Sequence, residues 1–118
     1  MSRMALVVDD SMVIRHTISR FLEERGFIIE AAINGRQALQ LIATLRPDLI
    51  VTDLEMPEMT GGELIRELKA RPETADIPII ILTGNHNGAA TAGTEAEVVI
   101  YKDIDIEEQL EKAIAALS

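Results

Sequence analysis

Leu49-Ile50-Val51-Thr52-Asp53 is a short aliphatic run that closes on a carboxylate. It has no polar alternation, which is how a strand buried on both faces of a parallel sheet reads. Three further runs repeat the pattern. Leu6-Val7-Val8 runs into Asp9-Asp10, Ile79-Ile80-Ile81-Leu82 into Thr83, and Val98-Val99-Ile100-Tyr101 into Lys102. Ligands of open parallel α/β sheets bind just outside the carboxyl ends of the strands. If the four runs are parallel neighbours, three carboxylates, a hydroxyl and an ammonium converge on one rim. So much negative charge in one place calls for a metal cation.

Between these runs the sequence turns helical. Ser11 or Asp10 can cap a helix whose apolar side is Met12, Ile14, Ile18, Phe21 and Leu22, and Gly26 ends it. Phe27-Ile28-Ile29 reads as the second strand, and Asn34-Gly35 is a turn signal. Ala38, Leu39, Leu41, Ile42 and Leu45 mark a second helix closed by Pro47. Leu64, Ile65 and Leu68 mark a third that ends before Pro72, and Ile106, Leu110, Ile114 and Leu117 mark the last. Strict alternation implies right-handed crossovers and a parallel sheet covered on both faces. The expected fold is α/β: a flavodoxin-like, doubly wound, five-stranded parallel sheet of order 2-1-3-4-5 with about five helices. In that order the loops after strands one and three flank the crevice where the strand order reverses, and they carry Asp9, Asp10 and Asp53. The segment from Gly84 to Thr94 should hold the fourth crossover helix, yet it has three glycines and no large apolar residue. Each interior glycine costs a helix about 1 kcal/mol relative to alanine. A short, frayed or degenerate fourth helix is expected.

The chain of 118 residues suggests one domain over 1–118, and 47% hydrophobic residues are enough for a real core. Phe21, Phe27 and Tyr101 are the only aromatics, so that core is aliphatic. Absence of cysteine excludes disulfides, thiolate metal sites and cysteine nucleophiles. No apolar stretch is long enough to span a bilayer and the first residues lack a signal-peptide pattern, so a soluble cytoplasmic protein is expected. The net charge of −9 repels phosphate backbones, which argues against direct nucleic-acid binding. The acidic C-terminal end reads as a solvated surface, or alternatively as a docking face for a basic partner.

Oxygen ligands with room for water suit Mg²⁺, with Mn²⁺ an acceptable substitute. A carboxylate beside such a metal can act as a nucleophile and form an aspartyl phosphate. Lys102 is placed to take up the remaining phosphoryl charge, and Thr83 to donate its hydroxyl to a phosphoryl oxygen. Each residue has a plainer reading. Asp10 is a helix cap, Thr83 and Asp53 are turn residues, and Lys102 is simply exposed. Their coincidence in strand order favours one shared site. His16 reads as a solvated or partly buried helical residue, and Met12, Met56 and Met59 read as packing.

These residues resemble the receiver domain of two-component response regulators, of the single-domain kind known from chemotaxis. The resemblance covers nearly the whole chain. It rests on Asp9-Asp10-Ser11, on Val51-Thr52-Asp53-Leu54 with the loop Met56-Pro57-Glu58-Met59-Thr60-Gly61, and on Thr83 and Lys102. It implies that Asp53 accepts a phosphoryl group from a sensor histidine kinase or phosphotransfer protein. Asp10, Asp53 and the backbone carbonyl of Glu55 would then bind Mg²⁺, with Asp9 acting through water, Lys102 pairing with the phosphoryl group and Thr83 carrying the signal to an effector. Glu55 and Asn85 stand where the family tunes dephosphorylation. The implied molecule is a switch, monomeric or weakly dimeric on phosphorylation and without an attached output domain, rather than an enzyme beyond its own phosphorylation and dephosphorylation. Three departures stand out. Asp103 replaces the usual proline after the lysine, Val99 occupies the aromatic switch position with Tyr101 two residues on, and the stretch between Thr83 and Lys102 is short. A pseudo-receiver scaffold and an Asp-nucleophile phosphatase are the rival readings.

Overall fold

The computed structural model describes residues 3–54, 61–84, 98–102 and 105–117. In chain order these residues form β1 (Arg3–Val8), α1 (Met12–Glu23), β2 (Phe27–Ala32), α2 (Gly35–Ile42), β3 (Leu49–Asp53), α3 (Gly61–Lys69), β4 (Ile79–Thr83), β5 (Val98–Tyr101) and α4 (Ile106–Leu117). The strands pair in parallel in the order β2-β1-β3-β4-β5. This is the expected five-stranded flavodoxin-like sheet, with four helices among the described residues. The segment read as a weak crossover helix lies, beyond Gly84, outside them.

Of the three interior strands, β3 and β4 are buried at every position, as their unbroken aliphatic runs require. Successive side chains point to opposite faces. Leu6, Val8, Ile50, Ile79 and Ile81 join Leu64, Ile65 and Leu68 of α3 in one core layer. Ala5, Val7, Val51, Ile80 and Leu82 join Ile18 and Leu22 of α1 and Leu110 of α4 in the other. Val99 packs against the first layer. The edge strand β2 leaves Ile28 half exposed.

Local chemistry sets the helix ends. Ser11, not Asp10, is the N-cap of α1, its hydroxyl accepting from Ile14 N at 3.4 Å. Asp10 is therefore left for other work. Asn34 caps α2 by accepting from Gln37 N at 2.8 Å, while Gln37 Oε1 accepts from Ile33 N at 2.7 Å. Gly26, with φ of 91°, turns the chain out of α1 in a region that side chains with a Cβ rarely adopt. Met12 departs from expectation, being 71% exposed rather than packed. It lies six residues before the buried Ile18, about 240° around the helix at 3.6 residues per turn, and so faces away from the sheet. His16 is exposed, in line with its reading as a helical surface residue. Met56 and Met59 lie outside the described residues.

Candidate functional site

Hydrogen bonds at the upper edge of the sheet carry each strand's pairing just past its end. Asp9 N donates to Ala32 O at 3.1 Å, Leu54 N to Leu82 O at 2.9 Å, and Lys102 N to Thr83 O at 2.9 Å. The residues at the strand ends thus inherit the rigidity of the sheet. Thr83 lies opposite Tyr101, one position beyond the Leu82 that faces Asp53, so all these residues share one rim.

Asp9, Asp10 and Asp53 each offer a carboxylate oxygen within 4.8 Å of the others. Asp9 and Asp53 are buried and Asp10 is exposed. Lys102 Nζ stands 3.0 Å from Asp53 Oδ2 and 3.1 Å from Asp9 Oδ2, joining residues from opposite ends of the chain. Burial alone would lower the ammonium's pKa, but the hydrogen bond to Asp53 and the negative charges of Asp53 and Asp9 outweigh it and raise the pKa above its usual value of 10.5. Lys102 therefore stays a cation at neutral pH. Thr83 is fully buried beneath the rim.

Asp9 is held from several sides. Its Oδ1 accepts from Ser11 N at 2.8 Å, and its backbone oxygen accepts from Arg15 Nη1 at 2.8 Å. Its Oδ2 is buried and accepts no hydrogen bond of good geometry, despite the nearby ammonium. A buried carboxylate oxygen short of donors is costly, and a cation offsets that cost. Three converging carboxylates, one open to water and one with an unsatisfied oxygen, fit a hard divalent ion such as Mg²⁺. Of the residues singled out in the sequence, Asp9, Asp10, Asp53 and Lys102 come together here and Thr83 lies on the same rim. Glu55, Asn85 and Asp103 lie outside the described residues.

The family model described as the response regulator receiver domain matches residues 5–115, almost the whole of this fold and all of this rim. The chain belongs to the receiver domain family of response regulators. Receiver domains interact with histidine kinases and effectors and bind Mg²⁺ at an acidic pocket. Response regulator MprA of Mycolicibacterium vanbaalenii is 38% identical to this receiver domain over 115 residues, which are 95% of the chain and 49% of that protein. The chain thus spans about half the length of the curated relatives it matches. The signal receiver domain of a signal transduction histidine kinase from Syntrophus aciditrophicus superposes with a TM-score of 0.90 at 33% identity, covering 98% of this chain and 89% of that one. Chemotaxis response regulator CheY4 of Vibrio cholerae gives a TM-score of 0.90 at 29% identity over the whole of both chains.

Two residues that support this receiver's rim had no signal in the sequence. Arg15 reaches back along α1 to the Asp9 carbonyl. Gln109, on α4, bonds the backbone of Tyr101 beside Lys102. The Gln109 contact depends on how α4 docks against β5, which no local pattern reports.

Proposed function

We propose that this chain is a single receiver unit that takes a phosphoryl group onto Asp53 from a phosphohistidine of a sensor histidine kinase or phosphotransfer protein, and changes its affinity for an effector when it does so. The observation that carries this reading is the placement of Asp53: 3% exposed, 3.0 Å from the Lys102 ammonium, and within 4.8 Å of two further carboxylates.

Asp53 supplies the nucleophile. A carboxylate oxygen attacks phosphorus, the P–O bond forms, the P–N bond to the imidazole breaks, and the departing nitrogen keeps the electron pair and takes a proton. Asp10 and Asp53, with the Glu55 carbonyl, would hold Mg²⁺, and Asp9 would act through water. When bound, the ion neutralises phosphoryl oxygens. Lys102 then changes partner. Its carboxylate loses charge on becoming an acyl phosphate, and the nearest anion is the new phosphoryl group, which draws the ammonium away from the Asp53 oxygen. Thr83, on the same rim, would donate its hydroxyl to that group. The burial of Asp53 and Thr83 limits access of water, which slows hydrolysis of the acyl phosphate back to carboxylate and inorganic phosphate. No turnover of an outside substrate belongs to this scheme, and the unit works as a monomer or a weak phosphorylation-dependent dimer in the cytoplasm.

Incubation with acetyl phosphate and Mg²⁺, followed by intact-mass and peptide mass spectrometry, tests the reading. A single phosphoryl adduct on Asp53, absent from Asp53→Asn and absent with a chelator, is the expected result. No metal-dependent change at all would favour a binding scaffold. Turnover of assorted phosphoesters would favour a phosphatase.

A further inference from the structure

In a parallel sheet the N–H and C=O of one residue point to the same neighbouring strand, and those of the next residue point to the other. On β5 the Lys102 N–H turns inward to Thr83 O. The Tyr101 N–H and C=O therefore turn outward, to the open edge of the sheet. There they meet the side chain of Gln109. Tyr101 N donates to Gln109 Oε1 at 3.1 Å, and Gln109 Nε2 donates to Tyr101 O at 2.9 Å. The carboxamide offers one donor and one acceptor at the spacing of a peptide group, as a sixth strand would. Its place is fixed at the start of α4, where Asp105 Oδ1 accepts from Glu108 N at 3.2 Å and Asp105 O accepts from Gln109 N at 3.2 Å.

Lys102 follows Tyr101 directly. Its ammonium must reach both Asp9 and Asp53, at 3.1 and 3.0 Å, from the end of a four-residue edge strand. Such an edge is held by a ladder on one side only. We infer that Gln109 is a positioning residue for Lys102: by pairing the outer edge of Tyr101 it holds the backbone from which the lysine extends into the acidic pocket. For phosphorylation this role rests on the function proposed above. For the placement of the ammonium it does not.

Two readouts on Gln109→Met, which keeps side-chain length and helix propensity but removes donor and acceptor, test it. The first is metal-free: acylation of Lys102 by an amine-reactive anhydride, measured against the exposed Lys112 by peptide mass spectrometry. The Lys102-to-Lys112 ratio should rise several-fold in the variant, together with faster hydrogen exchange of the Tyr101 amide. An unchanged ratio overturns the inference. The second is the rate of Asp53 phosphorylation by acetyl phosphate with Mg²⁺. It should fall about tenfold in the variant, in keeping with the sensitivity of such chemistry to displacements near 1 Å, and Gln109→Met should add no further loss to a Lys102→Ala protein. Equal losses in both backgrounds mean that Gln109 acts on general stability, and overturn the inference. If the wild type takes no phosphoryl group, the proposed function fails while the acylation ratio still decides the role of Gln109. Gln109→Glu, which keeps the acceptor and loses the donor, gives the same two readouts should the methionine variant not fold.

Discussion

Lys102 is the cation on which the buried pair Asp9 and Asp53 depends, and its titration gives the first prediction. Its pKa is raised in the fold, so its ion pairs contribute fully below the unfolded value near 10.5 and are lost as pH climbs through the higher folded value. In chelator, the stability gap between wild type and Lys102→Met should be constant around neutral pH and close at strongly alkaline pH. Denaturant midpoints measured across that range check it, and a gap that widens on the alkaline side contradicts it. Asp10 behaves differently, because it is exposed and caps no helix. Mg²⁺ at about ten times its Kd should raise wild-type stability by about 1.4 kcal/mol. Asp10→Asn should cut that gain sharply while changing the metal-free protein little, as thermal unfolding with and without Mg²⁺ would show. The sequence left Asp10 and Ser11 as competing caps. Only the docked helix shows that the hydroxyl does the capping and the carboxylate faces the pocket.

Among the elements, the caps differ in a way that predicts different costs. The Asn34 bond to Gln37 N is 2.8 Å and comes with a return bond from Ile33 N to Gln37 Oε1, close to a capping box. The Ser11 bond to Ile14 N is 3.4 Å. Asn34→Ala should therefore cost about 1–2 kcal/mol and Ser11→Ala about 0.5 kcal/mol, the two ends of the usual range for a lost N-cap. Urea denaturation of the two variants checks the order, and equal losses would contradict it. Ser11 was legible as a cap, and Asn34 only as half of an Asn-Gly turn signal. Their strengths as caps were not legible, because they depend on a few tenths of an ångström. Met12 shows the same limit from the other side. An apolar residue at the start of an amphipathic helix reads as part of its buried stripe, but the helix's rotation about its axis sets it in solvent.

In the molecule as a whole, stability comes from two aliphatic layers that share the central strands. Ile80 and Ile81 are adjacent, fully buried and in opposite layers. Ile80→Ala and Ile81→Ala should each cost about 2–5 kcal/mol, the range for truncating a buried aliphatic side chain. Met12→Ala, though also large-to-small, should stay within about 0.5 kcal/mol. Equal losses at positions 12 and 80, by chemical denaturation, would contradict the layer assignment. Unbroken apolar runs marked the strands and a period of 3.6 the helices, signals that neighbouring residues carry among themselves, and their alternation implied a parallel sheet, whose order 2-1-3-4-5 was the flavodoxin-like arrangement that five strands fit. The sequence also named the polar residues at the strand ends. It could not place Lys102 Nζ 3.0 Å from a carboxylate 49 residues earlier, leave Asp9 Oδ2 short of a donor, or set Gln109 against the open edge of β5. Those contacts join residues far apart along the chain. Their distances follow from how the crossovers and the sheet close, a property of the assembled fold that no single segment holds.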